Sequence, residues 1–208
     1  FYPLNYQFIP LIDENDEVIN SREILYVSGI FDNLDTIHFY INHWPSRYSG
    51  LLESRELRIL AAKILKSHIE GIFSKYVNPK VIILGDFNDS PGDESISAYL
   101  RAKRATGRFE PESIYNLSAG WIDSDRGTIR YRSQWSVFDQ IMVTGNLLDR
   151  KAGLYTDEKF ALIADLPFLL EADERYGGLR LKRTYHGYSY KGGFSDHLPV
   201  LLQLRPCP

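Results

Sequence analysis

The chain has 208 residues, of which 44% are hydrophobic, and this composition predicts one soluble globular domain with a sizeable core. Its 27 acidic and 24 basic side chains leave a charge of -3, which argues against a general nucleic-acid coat protein but not against an enzyme that binds phosphate through a metal. The single cysteine, Cys207, excludes an intrachain disulfide, and no run of about 18 apolar residues predicts a membrane span. Because the chain begins without methionine, we expect any signal peptide or lipid anchor upstream of Phe1.

The first part of the chain predicts a hairpin and a long helix. Residues 23–31 and 36–43 are rich in β-branched and aromatic side chains, and the turn sequence at residues 32–35 separates them. This pattern predicts a β-hairpin whose second strand ends at His43. Residues 51–76 carry apolar side chains at three- and four-residue spacing and predict a helix, with charged residues such as Arg58 mostly on its other side.

A buried strand and a second helix are predicted next. Residues 80–84 form a short apolar run bounded by proline and glycine, which predicts a buried strand. Asp86, Asn88 and Asp89 would then lie in the loop at its C-terminal end. Residues 93–103 predict a helix.

The second half of the chain is less regular. Residues 107–133 are loop-rich, and residues 136–144 predict a strand. A short helix is predicted near residues 167–174, within a long segment that continues as a loop rich in glycine and tyrosine, and residues 197–204 predict a final strand. Strands interleaved with helices and long loops predict a sheet-based α/β or α+β layer fold.

Asp86 and Asn88 are the first candidate functional residues. They follow a buried strand, and a carboxylate and a carboxamide two residues apart can face one pocket. Oxygen ligands of this kind suit Mg²⁺ or Mn²⁺, which keep several waters and bind through one or two carboxylates and substrate phosphate. The structural alternative is an Asx-type turn that only closes the strand.

Asp196 and His197 form the second candidate, directly before the last predicted strand. An acid beside an imidazole can bind metal and transfer protons, since histidine titrates near neutral pH. The alternative is an aspartate that caps a turn beside a packed histidine. Asp139 lies in an apolar run and needs a partner, because an unpaired buried carboxylate is costly. That partner would be His197, as in a catalytic triad, or an arginine such as Arg130 or Arg132.

His43 and Arg47 are candidate phosphate ligands. An imidazole at a strand end can donate a hydrogen bond to a phosphoryl oxygen, and a guanidinium is a second donor. The alternatives are a packed histidine and a solvent-exposed arginine. The remaining histidines are weaker candidates, since His68 fits the long helix, His38 lies within a strand and His186 lies in the tyrosine-rich loop.

Four separated motifs, in this order, resemble those of the endonuclease/exonuclease/phosphatase superfamily, which has the deoxyribonuclease I-like fold. They are Asn42-His43 with Ser46, Gly85-Asp86-Phe87-Asn88, Trp135-Ser136-Val137-Phe138-Asp139, and Ser195-Asp196-His197. The sequences around the first and last motifs are most similar to a bacterial branch of the family, so an exported bacterial protein is compatible with them. The resemblance implies a four-layer α-β-β-α sandwich with the site at one end.

The resemblance also implies catalytic roles. His197 would be the base that activates the attacking water, and Asp139 would orient it. His43 would stabilise the transferring phosphoryl group. Arg47 would bind the substrate together with His43 and Asn88. Such enzymes place charge where the transition state develops it.

The implied metal site is incomplete. Asp86 and Asn88 would contact Mg²⁺ or Mn²⁺ and position the nucleophile, and Asp196 would support the metal. The principal ligand in the family is a glutamate in an N-terminal portion that nothing in this chain matches. We therefore expect the chain to be the C-terminal part of a single domain, incomplete at its N-terminus, with the glutamate upstream of Phe1 and with weak metal binding on its own.

The resemblance implies a divalent-metal-dependent hydrolase of phosphate esters. A phosphodiesterase of the nuclease or sphingomyelinase type is the first hypothesis, with nucleic acid, a lipid headgroup or an inositol phosphate as substrate. The alternatives are a phosphomonoesterase acting on inositol phosphates or nucleotides, and a catalytically inactive binding module of the same fold. Specificity would lie in residues 107–133 and 150–192, and the oligomeric state stays open.

Overall fold

The structure of the protein is a computed structural model that describes residues 1–32, 35–47, 50, 52, 54–124, 126–151 and 153–207. The strands are β1 (Tyr2–Ile9), β2 (Ile24–Phe31), β3 (Asp35–His43), β4 (Lys80–Asp86), β5 (Lys103–Arg104), β6 (Ile114–Asn116), β7 (Ile129–Tyr131), β8 (Gln134–Ser136), β9 (Asp139–Thr144), β10 (Leu154–Tyr155), β11 (Ala161–Ile163), β12 (Leu170–Ala172), β13 (Leu179–Leu181), β14 (Tyr185–His186), β15 (Ser189–Tyr190), β16 (Val200–Leu202) and β17 (Arg205–Pro206). The helices are α1 (Arg55–Lys75) and α2 (Gly145–Leu148), with a π-helical turn at Ser95–Tyr99 and 3-10 turns at Ala119–Ser124, Glu158–Phe160 and Pro167–Leu169.

A central sheet organises the described part of the chain. Its seven strands run in the order β1-β2-β3-β4-β9-β6-β5. The crossover through α1 makes β3 and β4 parallel, whereas β4 and β9 are antiparallel. The C-terminal ends of β3 and β4 therefore lie beside the start of β9 at one end of these strands. In that register His43 faces Asp86, and Asp86 faces Asp139.

The central strands of the sheet are covered on both faces, which explains why β4 is a nearly continuous apolar run. Val81 and Ile83 point to the face covered by α1, where they join a buried cluster that includes Leu65 and Ile69. Ile82 points to the other face and joins a second cluster. The short pairs β10/β17 and β11/β16 belong to this second side, since side chains of β10, β11 and β16 contribute to that cluster.

The structure confirms the predicted hairpin and long helix with shifted bounds. β2 and β3 pair antiparallel as expected, and β3 ends at His43. The helix begins at Arg55 and ends at Lys75, inside the predicted residues 51–76. Residues 33, 34, 51 and 53, which the predicted turn and helix include, lie outside the described residues.

Of two predictions about the middle of the chain, the helix is wrong and the strand is confirmed in part. The predicted helix at residues 93–103 is only the π-helical turn at Ser95–Tyr99, because Lys103 and Arg104 pair with β6 as a strand. The predicted strand at residues 136–144 is broken into β8 and β9. The break occurs because the Phe138 carbonyl accepts a hydrogen bond from the Phe87 amide, while β8 pairs with β7.

The bounds of two predicted strands also change, and the helix predicted near residues 167–174 is wrong. β4 continues beyond residue 84, so Asp86 is its last residue and not part of the loop. The helix predicted at residues 167–174 is a 3-10 turn followed by β12, which pairs with β13. The last strand shortens to Val200–Leu202, and His197 instead forms an isolated bridge with Ile129. In the described part of the chain, no helix is long and apolar enough to cross a membrane.

Buried His38 predicts a pH-dependent stability. Its Nδ1 lies 2.8 Å from the Tyr26 hydroxyl, the Tyr76 ring packs against it, and burial lowers its pKa to about 4. The unfolded chain therefore binds the proton more readily, and the free energy of unfolding should fall by about 2 kcal/mol as the pH drops from about 6.5 to 4. Urea unfolding across this range should show a shallower pH dependence for His38→Gln, whereas exposed His186→Gln should follow the parent chain. Equal slopes for His38→Gln and the parent chain would contradict the assignment.

Candidate active site

His197 and Asp139 form a close pair at the end of the sheet where the C-terminal ends of β3 and β4 lie beside the start of β9. The Nδ1 atom of His197 lies 2.6 Å from Oδ2 of Asp139, although 58 residues separate them in sequence. This contact is the one expected for the unpartnered aspartate. The arginine alternative is wrong for Arg130, because Arg130 forms its ion pair with Asp173 at 2.8 Å. Among the described residues, Arg132 makes no ion pair with Asp139 either.

The surroundings of His197 favour its charged form. Burial lowers the pKa of His197, but the hydrogen bond and charge of Asp139 oppose burial, with smaller contributions from Asp86 and Asp196. Together these acids raise the pKa of His197 above its ordinary value. Since Nδ1 faces Asp139, the other ring nitrogen, Nε2, is the one available for proton transfer. No hydrogen-bond partner for this Nε2 is found within the described ranges.

Thr128 supports both members of the pair, and sequence reasoning missed it. Its side chain is fully buried, and its hydroxyl oxygen accepts hydrogen bonds from the amides of Phe138 and Asp139 at 3.2 and 3.0 Å. Its carbonyl accepts the amide of Leu198 at 2.7 Å. Thr128 thus fixes the backbone that carries Asp139 and the backbone that follows His197. A threonine in a loop-rich segment carries no pattern that would reveal this role.

Asp86 and Asn88 are linked directly to each other. The amide of Asn88 donates to Asp86 Oδ1 at 2.8 Å, and its side-chain nitrogen donates to Asp86 Oδ2 at 3.1 Å. This is the turn that the structural alternative described, so the pair closes the strand whatever else it does. Nε2 of His43 lies 3.5 Å from Asp86 Oδ2, which brings a third candidate residue to the carboxylate.

Burial disfavours the charged forms of both Asp86 and His43. Burial raises the pKa of Asp86, helped by the nearby charge of Asp139 and opposed by the Asn88 amide. Burial also lowers the pKa of His43, although the charge of Asp86 opposes it. A cation near the Asp86 carboxylate would favour its charged form and so oppose the effect of burial on its pKa.

Gly85 is required where β3 and β4 approach each other. Its φ is +130°, and a Cβ built on it would lie 2.0 Å from the Asn42 carbonyl oxygen. Only glycine fits this conformation and this distance. The Asn42 side chain is also structural, because its amide nitrogen donates to the carbonyls of Tyr40 and Leu84 and its oxygen accepts from the Trp44 indole.

Arg47 has different partners from those expected of a phosphate ligand. Its Nε donates to the Asn88 carbonyl at 2.6 Å, and one terminal nitrogen donates to Asp89 at 2.7 Å and to Asp93 at 2.6 Å. These contacts commit much of the guanidinium to the loop after β4. Arg47 therefore holds the backbone that follows Asp86, and a role in substrate binding stays a prediction.

A buried ion pair between Arg58 and Asp89 lies beneath this loop and was not predicted. Nε of Arg58 lies 2.8 Å from Asp89 Oδ1, and both side chains are almost fully buried. The assignment of Arg58 to the solvent face of the helix is wrong. Its spacing from Ala61, Ala62 and Leu65 puts it on the buried stripe, which the sequence could have revealed.

The predicted metal ligands can be tested against the chemistry that a divalent cation requires. Within the described ranges, no group of three or more His, Cys, Asp or Glu side chains is arranged to hold a metal ion. Asp86 offers a desolvated carboxylate beside a carboxamide, which suits a hard cation that keeps several waters. Asp196 is exposed, and its charge reaches His197. The oxygen atoms of Asp86 and Asn88 are therefore of the kind that could supply some of the ligands of Mg²⁺ or Mn²⁺.

A protein-family comparison identifies the family of the chain. The model described as "Endonuclease/Exonuclease/phosphatase family" matches residues 1–206. The chain belongs to this family. Its members are phosphoesterases that generally depend on divalent metals. No curated protein matches the chain by sequence.

Solved structures of low sequence identity share the fold. A conserved protein of unknown function from Enterococcus faecalis has a TM-score of 0.57 at 12% identity, with 98% of this chain and 66% of that chain covered. A mannosyl-6-phosphatase from Bacteroides thetaiotaomicron has a TM-score of 0.57 at 15% identity, with the same shares covered. The human Nocturnin catalytic domain has a TM-score of 0.55 at 14% identity, with 98% and 59% covered.

These likenesses establish the fold class of the chain. It is the α-β-β-α sandwich of the deoxyribonuclease I-like type, in which the seven-stranded sheet carries α1 on one face and the short strand pairs on the other. The chain spans about two thirds of the length of the first structures it matches.

Loss of the Asp89 carboxylate should destabilise the protein strongly. Asp89→Asn leaves the buried guanidinium of Arg58 without its counter-charge, and we expect the free energy of unfolding to fall by about 3 kcal/mol. The matched control is Asp123→Asn, because Asp123 pairs with Arg104 in an exposed ion pair and should cost less than about 1 kcal/mol. Urea unfolding measures both, and similar losses for the two variants would refute a dominant role for the buried pair.

Proposed function

We propose that this chain carries most of the catalytic residues of a divalent-metal-dependent phosphoesterase. The observation that carries the proposal is the 2.6 Å contact between His197 Nδ1 and Asp139 Oδ2. It lies at the end of the sheet that also holds His43 and Asp86, where His43 Nε2 is 3.5 Å from Asp86 Oδ2. An imidazole oriented by a carboxylate, beside a second desolvated carboxylate, is typical of a site that activates water.

His197 is the proposed base. In the neutral ring, Asp139 accepts a hydrogen bond from Nδ1–H, and the Nε2 lone pair is free to accept a proton from water. The oxygen of that water forms a bond to phosphorus while its proton moves to Nε2. The bond from phosphorus to the leaving oxygen breaks, and the leaving oxygen then takes a proton from solvent. The charge of Asp139 stabilises the imidazolium that forms.

His43 and Asn88 are the proposed contacts to the phosphoryl oxygens. His43 is half-exposed at the end of β3, and burial lowers its pKa, which favours a neutral ring that donates one hydrogen bond. Asn88 has a φ of +50° and is held by Asp86 and the Trp44 carbonyl. Both side-chain N–H groups of Asn88 already donate, one to Asp86 and one to the Trp44 carbonyl, so one of these bonds must open before Asn88 can contact a phosphoryl oxygen.

Asp86, with Asn88 and Asp196, would hold the metal, which we propose to be Mg²⁺ or Mn²⁺. A bound divalent cation would neutralise charge on the phosphoryl group and on the attacking water. We propose that residues 1–208 form the C-terminal portion of one domain and that the principal glutamate ligand comes from outside them. The share of the similar structures that the chain covers, 66% for the first of them, supports this reading.

The substrate is a phosphate ester, and two classes are proposed. A phosphodiester is the first candidate, although phosphodiesterases and phosphomonoesterases share the motifs. A phosphomonoester is the second, favoured by the charge of -3, which suits a small substrate better than a non-specific nuclease. The structural likeness to a mannosyl-6-phosphatase adds support for the second class.

Replacing His197 should abolish catalysis without unfolding the protein. His197→Gln and Asp139→Asn should each lower kcat by about 100-fold to 10,000-fold, because the proton acceptor is lost or misoriented. The full-length protein is assayed with Mg²⁺ or Mn²⁺ on bis-p-nitrophenyl phosphate and on p-nitrophenyl phosphate, which separates diester from monoester activity. His68→Gln is the matched control, since His68 contacts Tyr40 on the α1 side of the sheet. Full activity in His197→Gln would exclude the proposed base.

Removal of divalent metal should stop the reaction. Dialysis of the full-length protein against a chelator should reduce activity at least about 100-fold, and Mg²⁺ or Mn²⁺ should restore it. Asp86→Asn should raise the metal concentration needed for half-maximal activity, because one carboxylate ligand is lost. Activity that survives chelation on both substrates would refute the metal requirement, whereas a protein that is inert with every metal would favour the binding-module alternative.

A further inference from the structure

A cleft of about 800 Å³ lies outside the residues assigned to catalysis. It is formed by the strand pairs β7/β8, β12/β13 and β14/β15 with the turns that join them, and the mechanism above uses none of its side chains. Six of its lining side chains are basic, and they are Arg130, Arg132, Arg175, Arg180, Arg183 and Lys191. Only two lining residues, Glu171 and Asp173, are acidic.

Most of this positive charge is uncompensated. Arg130 is committed to buried Asp173, and Arg180 pairs with Glu171 at 2.8 Å. Among the residues that the structure describes, no ion pair is found for the other four basic side chains of the cleft, which are Arg132, Arg175, Arg183 and Lys191. A chain with a charge of -3 thus concentrates cations in one concave place. A concave site of one sign attracts counter-ions more strongly than scattered surface charge does.

The buried pair of Arg130 and Asp173 gives the cleft a fixed frame. Arg130 donates to Asp173 at 2.8 Å and to the carbonyls of Leu179 and Gly177 at 2.9 and 2.8 Å. These bonds tie β7 to the turn between β12 and β13. The exposed guanidiniums of Arg132 and Arg175 also lie over the rings of Tyr131 and Tyr176, at 5.2 and 5.1 Å. The free cations therefore project from a held scaffold, which lowers the entropy cost of binding.

The cleft lies beside the proposed base. Ile129 at the start of β7 bridges directly to His197, and Arg130 and Arg132 follow in the same segment. A strand rises about 3.3 Å per residue, so Arg132 is at most about 10 Å from Ile129 along the chain. A small molecule that places one phosphate at His197 can reach this distance with a second group.

We propose that the cleft binds a further phosphate group of a small polyphosphorylated substrate, whose scissile phosphate lies at His197. Guanidinium groups suit this role because they bind phosphate oxygens through paired hydrogen bonds. The volume corresponds to a drug-sized ligand, which favours a compact molecule over a nucleic-acid strand. The inference rests on the proposed function for the identity of the ligand as a substrate, but the binding itself does not.

Direct binding tests the cleft independently of catalysis. The full-length protein is titrated by calorimetry with myo-inositol hexakisphosphate, without added metal, in parent, R132Q/R175Q and H197Q forms. Both arginines are exposed and form no described ion pair, so the double variant should fold normally. We expect binding to weaken about tenfold to 100-fold in R132Q/R175Q and to weaken less in H197Q, which leaves the arginines of the cleft in place. The control R104Q/R150Q removes two arginines outside the cleft and should bind like the parent.

Activity then links the cleft to the substrate. For R132Q/R175Q, kcat/KM should fall about tenfold or more on a bisphosphorylated hexose and stay unchanged on p-nitrophenyl phosphate, which has no second phosphate. Parent-like binding in R132Q/R175Q, or tighter binding of a single-stranded oligonucleotide than of the hexakisphosphate, would overturn the proposal. Arginine-dependent binding by a protein without hydrolytic activity would uphold the anion site and refute the proposed function alone.

Discussion

The buried carboxylate of Asp89 is the constraint on which the site depends. It accepts from Arg47 and Ser95 and pairs with Arg58 on α1, so three parts of the chain converge on one group. A buried carboxylate with several donors cannot move without leaving a charge unsatisfied. The loop that follows β4 is therefore fixed, and with it Asn88. The family motif ends one residue before the group that holds it in place.

The contact between His197 and Asp139 illustrates a second constraint, which is the distance between two residues along the chain. His197 and Asp139 are 58 residues apart, and the ordering of two such segments costs conformational entropy that a single hydrogen bond does not offset. The hydrogen bonds of buried Thr128 to both segments offset part of this entropy cost. The cleft begins two residues further along the same segment, at Arg130. The segment that positions the contact between His197 and Asp139 thus continues directly into β7, which lines the cleft.

The strands and helices with strong periodicity could be predicted from the sequence, and so could the contact between Asp139 and His197. Hairpin β2/β3 and α1 carry clear patterns, and a lone aspartate in an apolar run demands a partner. Elements set by long-range pairing could not be predicted. Lys103–Arg104 becomes a strand only because β6 lies beside it, and the break before β9 depends on a hydrogen bond from Phe87. The catalytic roles of these residues and the metal remain predictions.

Strand β1 has a practical consequence for handling the chain. It is an edge strand of the seven-stranded sheet, and Tyr2, Leu4, Tyr6 and Phe8 are each more than half exposed along it. An edge with unpaired backbone groups and large apolar side chains is a template for strand addition. A concentrated preparation of these 208 residues alone should therefore self-associate through β1. Crystallisation trials and enzyme assays alike would benefit from lysine or proline substitutions on that edge.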